Sequence, residues 1–322
     1  MIAIFSQQDF ETSTEAVIDW LQLNNVPFKR INGVDFFDTV NFELNSEGIV
    51  TEGFYGIKVC WFRRWDSFND LLAVHFSDFS AWNFHELKSH LSNEQNIIRK
   101  MLFKSLEDKK WLTHPKEIAY TKLDLLESAA KFGLIIPKTI LTSSKAVLSN
   151  FMLKNGEIIT KIISQSIPRY QFKEVGYSFA TQLITKKELV DIPETFSPSL
   201  FQIYIEKKYE IRVFFLKRVF YSMAIFSQKN KKTKIDFRNY DDELPNRNVP
   251  YQLPKSVEGK LIQMLDFLDY TTGSIDLIKT KSGDYVFLEI NPVGQFGMVS
   301  YPCNYYLEEK IAIHLSTLAY EE

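Results

Sequence analysis

The stretch GSIDLIKTKSGDYVFLEINPVGQF, Gly273 to Phe296, constrains the fold of this chain more than any other. Two apolar runs flank KSGD, and the central Ser282-Gly283 pair suits a two-residue hairpin turn. That turn places Lys281 against Asp284 and therefore Asp276 opposite Glu289. Asn291 shares their face, because alternate strand residues point the same way. Like charges directly opposed destabilise a hairpin. A divalent cation removes the conflict, and two carboxylates with a carboxamide are hard oxygen donors that suit magnesium better than zinc. The competing reading of the same residues is a solvent-exposed polar face, or a register shifted by a longer turn.

Magnesium held by few protein groups implies a nucleotide. The 12 glycines form neither GxxxxGK[ST] nor GxGxxG, so side chains must hold the phosphates. Lys161 is the first candidate, since it stands alone in the apolar run IITKII, where an unpaired ammonium is costly. An edge strand with Lys161 turned to water explains it equally simply. Lys122, at the start of a helix after AYT, is a weaker candidate. Glu210 and Arg212 alternate on one face of YEIRVFF, and Asp236 and Arg238 alternate in KIDFRNY. An arginine fork suits phosphoryl oxygens, although a cross-strand ion pair accounts for Arg212 as well.

The chain reads as an α/β protein in three parts. Residues 1–112 form a βαβ-type unit: strand IAIF, helix TSTEAVIDWLQLNN capped by Thr12 or Ser13, strands VPFKRI and IKVCWFRRW, and a long helix over roughly Asp70 to Phe103. Residues 113–197 begin with a helix from about Lys122 to Phe132, stopped by Gly133 and Pro137. Strands KTILT and NGEIITKIISQ follow, then a polar stretch to about Gly176 that reads as a mobile loop, and FATQLIT. Residues 198–322 are rich in strands, LFQIYIE, YEIRVFFL, VFYSMAIFS, KIDFRNY, GSIDLIK and YVFLEIN, with helices over about Val257–Leu268 and Tyr306–Ala319.

Lys and Arg (38) nearly balance Asp and Glu (40), which argues against a nucleic-acid binder. With 45% hydrophobic residues the chain can bury substantial cores. MIAIFSQQDF lacks the basic and apolar regions of a secretory signal, and no apolar run reaches the ~20 residues of a spanning helix, so a cytoplasmic location away from membranes is expected. Cys60 and Cys303 are too few and too separated for a disulfide framework.

A strand lysine, the hinge LFQIYI leading to EIR, the arginine of DFR and the GSIDLI with FLEINP pair together resemble the ATP-grasp ligases over about Lys122 to Asn291. FQIYIEKKYEIRVFF, YSMAIFSQ, IDFRNYD and LEINPVGQF, with IFSQQDFETSTEAVIDWL and WFRRW, extend the likeness along essentially the whole chain. They resemble the ATP-grasp peptide maturases of the graspetide, or microviridin-type, group and its grasp-with-spasm branch.

The resemblance implies an N-terminal pre-ATP-grasp domain, a central subdomain, and a C-terminal antiparallel-sheet subdomain carrying the metal site. It implies that Lys122 and Lys161 hold phosphates, that Gln202, Ile203, Tyr204 and Ile205 recognise adenine through their backbone, and that Glu210 meets the ribose. Arg238 and Arg212 fall to catalysis, and Asp276, Glu289 and Asn291 to two Mg2+ ions. The implied reaction uses ATP to activate Asp or Glu side chains of a ribosomal precursor peptide as acyl phosphates. Ser or Thr hydroxyls, or Lys amines, then close ester or amide rings, with a leader segment guiding the peptide and a homodimer as the assembly. The loop 164–179 departs from the glycine-rich lid of many superfamily members, since it holds Gly176 and Pro168.

HELKSH (85–90) is one residue too long for HExxH, and residues five apart face different ways on a helix. His75, His114 and His314 have no ligand spacing. Arg63 and Arg64 suit either an acidic ligand or a salt bridge, and KNKKTK (229–234) either a solvated hairpin tip or a steering patch for acidic peptides. Two other functions fit the same motifs: a ligase acting on a small amino acid or a protein tail, and a non-catalytic ATP-binding scaffold.

Overall fold

The computed structural model describes residues 1–9, 11–39, 41–46, 48–51, 53–66, 84–164, 169–172, 175–178, 181–230, 232–238 and 241–321. It divides into one unit of residues 1–117, 295–300 and 306–322, and a second of residues 118–294 and 301–305.

The first unit is built on β1 (Ile2–Ser6), whose five residues are all buried. Such a run needs cover on both faces, as in a parallel sheet. β1 pairs in parallel with β2 (Phe28–Asn32) on one side and β5 (Val59–Phe62) on the other, and β5 continues to β6 (Lys110–Trp111). Helix α1 (Thr12–Leu23) buries Val17, Ile18 and Leu21 and packs on the last helix, Leu307–Tyr320. That last helix therefore belongs with the N-terminal residues rather than with the strands preceding it. Between β2 and β5 lie α2 (Gly33–Thr39) and the β3 (Phe42–Asn45) and β4 (Gly48–Thr51) hairpin. Helix α3 (Phe84–Ser105) carries HELKSH and the end of the long helix expected from Asp70. The start of that expectation lies outside the described residues.

The cap expected from Thr12 or Ser13 is instead Glu11, which makes no side-chain cap bond. Its carboxylate is recruited elsewhere. Glu11 Oε2 accepts from Thr14 Oγ1 at 2.7 Å and Oε1 accepts from Gln295 Nε2 at 3.1 Å, while Ser13 Oγ bonds Gln295 Oε1. Buried Arg63 and half-buried Arg64 lie 3.8 and 3.2 Å from the same carboxylate, so the salt-bridge reading of FRRW holds.

The second unit starts at α4 (Lys122–Lys131). Thr121 and Asp124 form a reciprocal capping box, which fixes the helix start and so the origin of Lys122. Next come β7 (Thr139–Ser144), α5 (Lys145–Asn155), β8 (Ile158–Lys161), β9 (Arg169–Phe172), β10 (Val175–Ser178), β11 (Gln182–Ile184), α6 (Lys186–Asp191) and β12 (Thr195–Ile203). One sheet has the order β11-β8-β12-β7, all antiparallel, over a core of Leu148, Met152, Ile158, Ile184 and Phe201. The stretch expected to be a mobile loop contains the antiparallel β9/β10 pair, in which Gly176 sits opposite Gln171. Local polarity hid the pairing, because a short hairpin needs no apolar run.

A second sheet follows: β13 (Lys207–Leu216), β14 (Val219–Phe226), β15 (Arg247–Tyr251), β16 (Thr272–Thr280) and β17 (Tyr285–Asn291), in the order β15-β14-β13-β16-β17, with α7 (Lys255–Leu268) between β15 and β16. One face, with Ile211, Val213, Phe215, Ile275, Leu277 and Phe287, packs with Leu261, Leu265 and Leu268 of α7 and Leu125, Leu126 and Ala129 of α4. The opposite face carries Glu210, Arg212 and Asp276.

KIDFRNY is not a strand: residues 232–238 are turns, with 239–240 outside the described residues. β15 occupies the place beside β14, and Asp236 draws the chain back by accepting from the Arg238 amide at 3.0 Å. Among the described residues no helix is long and apolar enough to cross a membrane.

Candidate active site

Strands β16 and β17 do not meet through the expected two-residue turn. Gly283 N donates to Thr280 O at 3.2 Å and Thr280 N to Asp284 O at 3.0 Å, so Lys281, Ser282 and Gly283 form a three-residue loop, with Gly283 at φ 100°. This shifts the register by one residue, with Lys279 facing Tyr285 and Leu277 facing Phe287. A bulge at Leu288 then shifts it back, and Asp276 does face Glu289. The bulge also reverses the alternation. Phe287 and Ile290 enter the core, whereas Leu288 and Glu289 line a cleft.

That cleft lies between the two sheets of the second unit. Lys161 and Gln202 line it from one sheet, Glu210, Asp276 and Glu289 from the other, and the 235–238 turn closes one side. Ile203, Tyr204 and Ile205 run along it where the chain passes from β12 to β13. The Ile203 amide donates to Lys138 O and the Tyr204 amide to Glu157 O, which fixes the hinge backbone. Gln202 Nε2 donates to Thr139 Oγ1 at 3.0 Å, while its Oε1 is buried without a partner among the described residues.

Lys161 does not sit on an edge, since β8 lies between β11 and β12. Burial lowers its pKa, Glu289 acts in the opposite sense, and Arg238 and Lys122 lower it further. Lys122 reaches across from α4 to donate to Ile162 O at 3.1 Å, and its pKa is lowered by burial against the pull of Glu289. Both lysines therefore feel Glu289 and Arg238. Residues more than a hundred positions apart form one electrostatic cluster.

Arg212 lies directly across from Asp276 in the β13/β16 ladder, and its Nη1 donates to both carboxylate oxygens at 2.8 Å. The cross-strand ion pair is thus the state of Arg212, with Nε buried and unpartnered among the described residues. Burial raises the Asp276 pKa, Arg212 opposes this, and Glu289 adds to it. Glu289 is lowered: burial acts upward, but Arg238, Lys161, Lys122 and Arg212 together outweigh it. Arg238 holds Asp236 through Nε at 2.9 Å and Nη2 at 2.8 Å, and its Nη1 lies 3.5 Å from Glu289 Oε1. Those hydrogen bonds raise the Arg238 pKa and keep the guanidinium charged.

Asn291 extends the β17 face opposite Ser274, its Oδ1 accepting from Val293 N at 3.1 Å. Among the described residues no three His, Cys, Asp or Glu side chains gather as a metal site. A cation here would rest on Asp276, Glu289 and the Asn291 carboxamide oxygen, completed by non-protein oxygens. The oxygen-only donor set of Asp276, Glu289 and Asn291 fits magnesium.

Glu210 is more engaged than a free sugar-binding carboxylate. Oε1 accepts from Lys207 Nζ at 2.5 Å and Oε2 from Ser227 Oγ at 2.7 Å. Each oxygen keeps a second lone pair, so sugar hydroxyls remain acceptable partners. Lys207 and Ser227 escaped the sequence reading. In EKKY a lysine looks like a solvated residue, and regular alternation would put Lys207 on the face of Tyr209.

No family model matches the chain, and none of the curated proteins does. Solved structures do. The macrocyclase MdnC from Microcystis aeruginosa MRC, bound with its precursor peptide MdnA, superposes with a TM-score of 0.80 at 22% identity, over 98% of this chain and 99% of that one. The chain has the ATP-grasp fold. A Chryseobacterium gregarium RiPP-associated ATP-grasp ligase, in complex with ADP and a leader and core peptide, matches with a TM-score of 0.77 at 23% identity, covering 99% and 96%. The ATP-grasp ligase PsnB, complexed with minimal precursor, Mg and ADP, gives 0.75 at 12% identity, covering 99% and 97%.

Proposed function

We propose that this chain is an ATP-dependent ligase that closes rings in a ribosomally made precursor peptide. The observation that carries the reading is the cleft in which Lys161 and Arg238 meet the Asp276–Glu289 pair, with Lys122 on Ile162 O close enough to act on Glu289. Cations from α4, β8 and the 232–238 turn suit a polyphosphate, and the similar structures include ligases bound to precursor peptide, ADP and Mg.

In this reading the 202–205 hinge binds adenine, Glu210 the ribose, and Lys122 and Lys161 the phosphates. Asp276, Glu289 and Asn291 hold magnesium, two ions in our proposal, whose charge would offset that of the transferring phosphoryl group. A peptide carboxylate attacks the γ-phosphorus, the bond to the β-γ bridging oxygen breaks, and ADP leaves. A Ser or Thr hydroxyl, or a Lys amine, then attacks the acyl carbon, loses its proton and expels phosphate. Arg238, fixed by two bonds to Asp236, presents its remaining Nη1 towards Glu289, which supports a role in meeting phosphoryl oxygens. Arg212 acts on Asp276 and holds that carboxylate in line. Catalysis is then mainly positioning and electrostatics.

We further propose a homodimer working in the cytoplasm, with residues 1–112 as the pre-ATP-grasp domain, 113–197 as the central subdomain and 198–322 as the C-terminal subdomain. The test is the intact mass of a precursor peptide rich in Thr and Asp or Glu after incubation with the protein, ATP and magnesium. Loss of about one water mass per ring, absent with Glu289→Ala, supports the assignment. Unchanged mass while ATP is turned over would move the reading to a ligase with another acceptor. Light scattering of the same sample reads the dimer.

A further inference from the structure

We infer that Lys207 is a positioning residue that ties the Arg238 turn to the nucleotide end of the cleft. This rests on the ligase reading only in that Arg238 is taken to act on phosphate. The ladder between β13 and β16 slips between Lys207 and Tyr209, so Lys208 is an extra residue. The slip turns Lys207 onto the face of Glu210, where its side chain is only 3% exposed. Its Nζ bonds Glu210 Oε1 at 2.5 Å and Ile235 O at 3.0 Å.

The second bond is the informative one. Residues 232–238 belong to no strand and lack ladder bonds to hold them. A buried net holds the middle of the turn, with Lys207 on Ile235 O, Thr233 Oγ1 on Ser227 O at 2.9 Å, and Ser227 Oγ on Glu210 Oε2 at 2.7 Å. Lys232 N on Asn230 Oδ1, Thr181 on Asp236 and Asn246 Nδ2 on Phe237 O at 3.3 Å bind it elsewhere. Thr233 and Ser227 are 0% and 1% exposed. Three residues beyond Ile235 stands Arg238, whose guanidinium is locked to Asp236. A shift of the Ile235 carbonyl therefore carries Asp236 and Arg238 with it. Lys207 acts through its neighbours, because its ammonium is already committed to two acceptors.

Amide hydrogen exchange on the whole protein tests this without any peptide. In Lys207→Met, exchange at residues 233–238 should rise about tenfold, as for loss of one hydrogen bond, while α4, β16 and β17 keep their protection. Ser227→Ala and Thr233→Val remove parts of the net without stranding a charge, and should raise exchange in the same segment. They carry the test if Lys207→Met does not fold. Unchanged exchange in 233–238 would overturn the proposal, as would loss of protection spread evenly over the second unit. Affinity for ADP with magnesium supplies the second readout. Lys207→Met and Arg238→Lys should each weaken it, and the double variant should be weaker by less than the two losses combined. Fully additive losses would mean that Lys207 does not act through Arg238. If the wild type binds no nucleotide the ligase reading fails, whereas the exchange result still decides whether Lys207 holds the turn.

Discussion

Asp276 and Glu289 face each other across β16 and β17 because two one-residue departures from a regular hairpin cancel: the three-residue loop at 281–283 and the bulge at Leu288. Two carboxylates are opposed in a buried ladder: burial holds the Asp276 pKa up against Arg212, while, against its own burial, that of Glu289 is brought down by Arg238, Lys161, Lys122 and Arg212 together.

Glu289 is the acidic group on which Arg238, Lys161, Lys122 and Arg212 all act. Glu289→Gln keeps the shape and removes the charge, so turnover should fall by at least about 100-fold with little change in melting temperature. Titrating magnesium should reveal a weakened requirement. A variant retaining wild-type turnover would remove Glu289 from the reaction.

Arg212→Ala leaves Asp276 buried beside Glu289 without its counter-charge. Breaking such a pair costs about 3 kcal/mol or more. Magnesium should then raise the melting temperature of the variant more than that of the wild type, since a cation replaces the missing charge. Equal shifts in both proteins would show that no cation reaches Asp276.

Burial lowers the Lys161 pKa from its ordinary value of 10.5. Because the folded value is the lower one, its positive charge is lost as pH rises through that value, before an exposed lysine would lose its own. KM for ATP should therefore climb on the alkaline side before the range in which an exposed lysine titrates, and Lys161→Arg, which stays charged, should flatten the rise. For stability the sign is opposite: the cost of burying the charge is present at neutral pH and is relieved as Lys161 deprotonates. A KM that stays level until exposed lysines titrate contradicts this.

Gly294 ends the turn after Asn291, and a Cβ there would lie 2.6 Å from Ser274 Cβ and 2.7 Å from Ser274 Oγ. Gly294→Ala should destabilise the protein by about 1–3 kcal/mol, and adding Ser274→Gly should recover part of it. Denaturant unfolding of the three variants is the measurement. Full stability in Gly294→Ala alone would show that β16 yields there without cost.

Much of this protein is legible in its sequence, because the signals are local. Fully apolar IAIF reads as a buried strand, the helix from about Lys122 is stopped by Gly133 and Pro137, and a lone lysine in IITKII advertises an uncommon role. Period-two patterning also places Glu210 and Arg212 on one face of their strand, whereas Asp276 joins that face only through the β13/β16 pairing. Other features depend on pairing partners far along the chain, which patterning cannot contain. The KIDFRNY segment alternates like a strand, yet β15 takes the edge it would need and Asp236 folds it back. Bulges at Lys208 and Leu288 break the alternation and decide that Lys207 and Glu289 point into the cleft. The sequence by itself determined which residues carry charge and which strands carry them. The tertiary structure decided which charges meet, because a single-residue slip in a ladder turns a side chain from core to cleft and is set by the neighbouring strand.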